Sequence, residues 1–412
     1  MVTYRMRAPV AVTGLGILSA FGASRERFCE ALLRAERAIA PVTGFDVSCC
    51  RTRAAIPVSG IDPTRWIPAM KLRRLDRTGV FALAAVLEAL ADAGFGVGTD
   101  RDEAGVVVGT FSAGGEATQD YLQRLHDSGP SGAPALIFHS TVGNAAASLA
   151  GLECKLRGPN VTVSQKEASG LAAIGVAVDL IRESRADLVV AGGVDAISEM
   201  FFRAHDRFNV MSPGDADQAC SAPFDRRRNG FLMGEGGFML ALEPLGGNRA
   251  PARMYGQVLG VGSTSAAVPV NAWPDSPCSI SRGMQMAMDD AELEAGDVDV
   301  VFASANSTRE LDHVEADAIR MTFGGRPLVT SVKGSLGESG SSGAAACAVA
   351  LLCGQRGLVP PIAGLEDADA CASGLRLVSV RAALPGPVLL VNSVGSGGSL
   401  VSVVLRVEPG NL

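Results

Sequence analysis

The stretch Ser164-Gln165-Lys166-Glu167-Ala168-Ser169-Gly170 sets a carboxylate between a short β-branched run, Val161–Val163, and a segment of helical periodicity, Leu171–Arg182. A side chain at such a strand-to-helix elbow sits at a helix N-terminus, where free amides and the helix dipole favour negative charge. A thiol in that place becomes a thiolate nucleophile. A carboxylate is a poor acyl-transfer nucleophile and works as a base only when burial raises its pKa. Glu167 therefore reads as an ion-paired plug, with Lys333 as the cation expected to neutralise it.

Other groups able to do chemistry are few. The chain holds four histidines, His126, His139, His205 and His313, and nine cysteines. No cysteine follows an elbow-type strand; Cys154 lies nearest, ahead of Leu156–Asn160, and reads as a buried structural thiol. No C-x-x-C spacing exists, so neither a zinc site nor a disulfide framework is expected. The glycine-rich Val394–Gly398 loop lacks the following lysine of a phosphate cradle.

The elements that must hold these residues alternate between β-branched runs and alanine-rich helical segments. Val10–Val12, Gly105–Val108, Val161–Val163 and Leu188–Ala191 predict buried strands, and Arg77–Ala93 and Leu171–Arg182 predict helices. After Pro244-Leu245-Gly246-Gly247-Asn248 the pattern restarts. Met254–Val261, Val298–Ala303, Leu328–Val332, Val388–Val391 and Leu400–Val407 predict strands, with helices at Gly283–Leu293 and Ala344–Cys353. Strand, elbow and helix at 161–182 echo strand, Gly340-Ser341-Ser342-Gly343 and helix at 328–353. The echo predicts two similar α/β halves, 1–247 and 248–412, packed as a layered pseudo-dimer. Ser-Gly followed by alanines is also a common way to begin a helix close to a sheet.

A chain of 412 residues with 47% hydrophobic and 19% charged residues buries a large core. Its net charge of −7 argues against nucleic acid as a partner. Arg5 and Arg7 ahead of an apolar run imitate a signal peptide, but Val10–Gly16 reads as a strand entering a glycine turn. No apolar stretch approaches the ~20 residues that span a bilayer. A cytoplasmic protein with no membrane role is expected.

Six stretches carry a family resemblance. They are Val12-Thr13-Gly14-Leu15-Gly16, Leu156-Arg157-Gly158-Pro159-Asn160, Ala191-Gly192-Gly193-Val194-Asp195, Ser221–Phe231 with Gly234-Glu235-Gly236, Ser331–Gly337, and Asn392–Gly398. In this order they resemble motifs of the β-ketoacyl synthases of fatty-acid and polyketide assembly, and they span nearly the whole chain. The resemblance implies the thiolase fold, an α/β architecture of duplicated, layered α-β-α-β-α halves. In that family an elbow cysteine takes the acyl chain as a thioester, two histidines stabilise the decarboxylating malonyl thioester, and a lysine supports the site. Carried over by motif, the cysteine position is Glu167 and the histidine positions are Ser304 and Glu338; only the lysine, Lys333, is kept. Asp312-His313-Val314-Glu315 anchors the register of Ser304 and gives His313 a non-catalytic place.

So altered, the chain resembles a type II polyketide chain length factor, a non-condensing subunit that pairs with a catalytic ketosynthase as a heterodimer and shapes the chain tunnel. Aromatic-pathway members usually carry glutamine at the elbow, so Glu167 departs from that pattern and leaves the pathway open. The alternatives are a priming decarboxylase, which needs the two missing histidines, and a thiolase-fold enzyme using Glu167 as a base. No cofactor is expected, the acyl groups arriving on the phosphopantetheine of an acyl carrier protein. The segment from Gly105 to Asn144 matches the family's dimer interface and tunnel floor. Phe111, Thr118, Tyr121 and Leu122 fall there at helix-compatible spacing, with Phe138 and His139 on the returning loop. Val394 stands where the family carries a gating phenylalanine. Lys71-Arg73-Arg74-Arg77 is the densest cationic cluster and the candidate carrier-docking face.

Overall fold

The computed structural model describes residues 8–96, 102–247 and 253–408, so the expectation for Arg5 and Arg7 lies outside the described residues. Runs of valine, leucine and glycine build the sheet. In the first half the strands are β1 (Val10–Leu18), β2 (Ala104–Gly109), β3 (Asn160–Val163), β4 (Leu188–Asp195) and β5 (Gly236–Pro244). In the second they are β6 (Gly256–Ser265), β7 (Val300–Phe302), β8 (Leu328–Thr330), β9 (Arg376–Leu377), β10 (Val388–Val394) and β11 (Ser399–Val407). All join in one 11-stranded sheet of order β9-β8-β7-β10-β11-β6-β1-β5-β4-β2-β3.

Outward from the seam where β1 pairs antiparallel with β6, the two halves have the same topology. The series β1-β5-β4-β2-β3 pairs antiparallel, antiparallel, parallel, parallel. The series β6-β11-β10-β7-β8 does the same, and β9 adds one more parallel strand. The echo read from sequence is thus a repeated topology, with β3 and its helix equivalent to β8 and its helix.

Helices form the other layers. Arg77–Asp92 packs on β1 and β5, capped by Asp76, whose carboxylate accepts the Gly79 N–H at 2.8 Å. Pro277–Asp290 covers β6 and β11 in the equivalent place. Between the halves lie Ser169–Arg182 and Ser342–Gln355, packed on each other and on strands of both halves. The second of these is buried on nearly every face, which its small apolar residues permit. Their N-terminal turns touch: the Gly170 N–H donates to the Gly340 carbonyl at 2.7 Å. A Cβ at Gly193 would lie 2.5 Å from the Ser341 Cα, so glycine is required at that junction.

Three features depart from the sequence expectations, the first being that the glycine turn expected at Gly14–Gly16 lies inside β1, which runs on to Leu18. Gly234-Glu235-Gly236 reads as the end of a motif, yet β5 begins at Gly236. Leu328–Val332 is shorter than expected as a strand. It ends at Thr330, and Lys333–Leu336 forms a helical turn. At the far end of the first half β3 is the last strand, and its outer edge has no partner among the described residues. Among the described residues no helix is long and apolar enough to cross a membrane.

Candidate functional site

β3 ends at Val163, and the chain passes through a single turn, Lys166–Ala168, into the helix Ser169–Arg182. Lys166 lies in the left-handed region at φ 50°, which costs a non-glycine residue roughly 1–3 kcal/mol. The elbow is held there by Ser169, whose hydroxyl donates to the Lys166 carbonyl at 2.6 Å and accepts the Gln165 N–H at 2.8 Å. Glu167 is thereby turned inward and is only 3% exposed.

Its carboxylate is met by the glycine-rich loop after β10. The Ser396 N–H donates to Oε2 at 2.8 Å and the Ser396 hydroxyl to Oε1 at 3.0 Å. Ser393 adds a hydroxyl donated to the Glu167 carbonyl at 3.1 Å. Lys333 does not neutralise Glu167, contrary to the sequence expectation. Its Nζ lies 2.8 Å from Glu338 Oε2 and 3.0 Å from Ser304 Oγ. The reason is local. Gly337 (φ 75°) reverses the chain after the Lys333–Leu336 turn and returns Glu338 onto the lysine that opens it.

The second half completes the cluster. Asn306 Nδ2 donates to Glu338 Oε2 at 2.8 Å, and the Ser342 hydroxyl donates to Oε1 at 3.2 Å. Burial pushes the Glu338 carboxyl upward, Lys333 pulls it down, and nearby Glu167 raises it again. Ser304 Oγ accepts from Lys333 and from the Val394 N–H at 2.9 Å, while its own N–H donates to Glu315 Oε1 at 2.8 Å. Glu167, Ser304, Lys333 and Glu338 are all buried, and one polar centre holds them.

Several groups in this centre are not singled out as site residues by the sequence. Ser396 sits in a loop that reads only as a gate. Asp195, at the end of β4, accepts the Phe111 N–H at 2.9 Å and the Ser112 N–H at 2.8 Å through Oδ1, while its buried Oδ2 has no hydrogen-bond partner among the described residues. His205 lines the same small cavity as Glu167, Asp195 and Glu338, a space of about 20 Å³ that suits one water and no acyl chain. The other histidines, His126, His139 and His313, are exposed. Cys29 and Cys353, far apart in sequence, bring their thiols to 3.4 Å.

The candidate tunnel residues separate into four places, with Phe138 and His139 at the end of the short helix Ala135–Phe138. Phe111 is not helical; it lies in the loop after β2, ahead of the helix Gly115–Ser128. Thr118, Tyr121 and Leu122 lie on that helix, where the Tyr121 and Phe138 rings stand 5.7 Å apart. Leu122 and Phe138 are 51% and 56% exposed, and His139 is exposed. Val394, the last residue of β10, is buried in the apolar core of the second half. The cationic cluster is partly spent, since Lys71 pairs with Glu153 at 2.5 Å and Arg77 with Glu235 at 2.9 Å, leaving Arg73 and Arg74 less committed.

Chemically, the centre offers a stabilised carboxylate where acyl transfer needs a thiolate. A second carboxylate, Glu338, is paired with Lys333 and offers no donor to a developing oxyanion while it is ionised. Replacing Lys333 by methionine leaves Glu338 buried without a cation. We expect Lys333→Met to cost about 3–5 kcal/mol in urea unfolding, and Lys333→Met combined with Glu338→Leu to recover most of that loss.

Beneath the pair, burial raises the carboxyls of Glu315 to about 7 and Asp312 to about 6, above their ordinary values of 4.5 and 3.8. The native state therefore binds more protons than the unfolded chain between about pH 4.5 and about 7, and its stability falls as pH rises through that window. Glu315→Gln, which keeps an oxygen for Ser304 and Asn392, is expected to lose about 2–3 kcal/mol less between about pH 5 and about pH 7.5, measured as the shift in unfolding free energy. An unchanged pH slope would contradict this assignment.

Comparison with known proteins agrees with this architecture. Residues 7–246 match the "Beta-ketoacyl synthase, N-terminal domain" and residues 255–366 the "Beta-ketoacyl synthase, C-terminal domain". The chain is 32% identical to 3-oxoacyl-(acyl-carrier-protein) synthase 2 of Rhizobium meliloti (strain 1021), covering 96% of this chain and 98% of the relative. It is 33% identical to a putative polyketide beta-ketoacyl synthase 1 of Streptomyces cyaneus, covering 98% and 99%. Among solved structures, the ishigamide ketosynthase/chain length factor superposes with a TM-score of 0.89 at 27% identity, over 98% of this chain and 100% of that one. A fold of duplicated thiolase-like halves and matches over both halves lead to one conclusion: the chain belongs to the β-ketoacyl synthase family.

Proposed function

We propose that this chain is a non-condensing, chain-length-factor-like subunit that pairs with a catalytic ketosynthase and shapes the tunnel in which the polyketide grows. The observation that carries the reading is the internally satisfied centre. Glu167 is held by Ser396, and Glu338 is held by Lys333 and Asn306. Each group that stands in place of a thiol or imidazole is committed to a neighbour within the chain. The acyl groups would come on the phosphopantetheine of an acyl carrier protein and be loaded on the partner.

The pairing surface proposed is the β3 end of the sheet. Its unpaired edge lies in the part of the chain that carries exposed Leu122, Leu136, Phe138, Val142 and Leu152. An open strand edge in apolar surroundings favours another chain as its neighbour. The likeness to the ishigamide ketosynthase/chain length factor supports such pairing by similarity. Arg73 and Arg74 remain the proposed contribution to carrier docking.

The test is co-expression with a ketosynthase that keeps cysteine and both histidines, preferably one encoded beside this chain. The expected result is a 1:1 complex with condensing activity, and no acyl-enzyme or malonyl decarboxylation from the purified single chain. Covalent acylation of the single chain, or carbon dioxide release by it, would overturn the proposal. In the complex, Tyr121→Ala or Phe138→Ala is expected to shift the products towards longer chains by one or more extensions, read by mass spectrometry. Unchanged lengths for both would remove these residues from the tunnel.

A further inference from the structure

The small cavity beside Glu167 is walled by aromatic rings, among them Phe111, His205 and Phe231. The rings pack against one another in tilted and edge-to-face contacts. Phe111 lies 5.2 Å from Phe201 and 5.5 Å from His205, and His205 lies 5.9 Å from Phe231. The cluster is fixed at both ends. Asp195 holds the Phe111 N–H, and His205 Nδ1 donates to the Phe201 carbonyl at 2.7 Å, one helical turn back on Glu199–Arg207. Burial lowers the His205 pKa, which the Phe201 carbonyl opposes, so near neutral pH the ring packs as an uncharged partner.

The far face of the cluster reaches the helix Gly115–Ser128. The Phe201 ring comes within 2.9 Å of where a Cβ on Gly115 would sit, so the helix begins with a residue that has none. Two hydrogen bonds brace the same junction: Gln119 Nε2 to Glu199 Oε2 at 2.7 Å, and the Met200 N–H to Gln119 Oε1 at 3.1 Å. A displacement of Phe201 must therefore move either Phe111, at the floor of the centre, or the helix that carries Thr118, Tyr121 and Leu122.

We propose that Phe111, Phe201 and His205 form a wedge that seals this chain's own pocket against acyl groups and seats the helix Gly115–Ser128 against the partner's tunnel. The three are positioning residues for product length; none of them touches the reacting atoms. The second half of this proposal rests on the tunnel-shaping function above, while the sealing does not.

The sealing is tested on the chain alone. Glu167→Cys is treated with iodoacetamide and with an N-decyl iodoacetamide, and adducts are counted by intact mass against a Glu167→Ser control. The small reagent is expected to label Glu167→Cys and the decyl reagent is not, whereas Glu167→Cys with Phe201→Ala accepts both. Equal decyl labelling with and without Phe201→Ala overturns the seal. If Phe201→Ala fails to fold, Phe201→Leu takes its place.

The positioning is tested in the 1:1 complex by product length. Phe201→Leu and His205→Leu are expected to raise the share of products longer by at least one extension about threefold or more, and Phe201→Tyr to restore the parent distribution. If these variants leave the distribution unchanged while Tyr121→Ala shifts it, the wedge does not position the helix and the tunnel reading stands. If Tyr121→Ala, Phe138→Ala and the wedge variants all leave it unchanged, the tunnel reading and the positioning claim fall together.

Discussion

Lys333 and Glu338 face each other at 2.8 Å with almost no solvent around either. Two charges removed from water are costly singly and tolerable only together, with their remaining hydrogen-bonding sites filled. Here the filling is thorough: Ser304 takes a second donation from the lysine, while Asn306, Ser342 and the Ser339 N–H serve the carboxylate. These partners come from the loops after β7 and β8 and from the N-terminal turn of a central helix. The pair therefore ties three segments of the second half, and through the Val394 N–H on Ser304 it ties β10 as well.

The first half contributes a different solution to the same difficulty. Among the described residues no cation is in hydrogen-bonding contact with Glu167, yet it is buried at the head of a helix with the N–H and hydroxyl of Ser396 on its oxygens. Lys166 lies beside it, with its ammonium lowered by burial and raised by Glu167, and it reaches outward to Asn271 and Ser396. The elbow and the closing glycine loop are thus fastened to each other by a serine that a thiol would not engage as an acceptor of comparable strength. The duplicated topology brings the two solutions together, since the helices behind both elbows meet at Gly170 and Gly340.

Much of this is legible in the sequence, and the failures have physical causes. Alternating β-branched and alanine-rich runs mark all but two of the sheet strands, because buried strands and buried helices leave strong local patterns. The exceptions are β5, hidden by its opening glycines, and β9, only two residues long. The positions of Glu167, Ser304, Glu338 and Lys333 follow from motif order. Their pairing does not, because it depends on the reversal at Gly337, which no periodicity reports. His205 and Ser396 are missed for a related reason: each reaches the centre only through the fold, His205 from the helix Glu199–Arg207 and Ser396 from the loop after β10. The spacing of Phe111 from Thr118 suggests a shared helix, whereas the turn at Gly114 (φ 70°) starts that helix later.

The edge of β3, without a partner among the described residues, exposes the molecule to mispairing: an open strand edge accepts a compatible strand, including that of a second copy or of an unfinished chain. Under the proposed function, surplus copies synthesised ahead of a companion would be the most prone to misassembly. Dosage then becomes part of the design, since balanced translation of the two subunits keeps this edge covered.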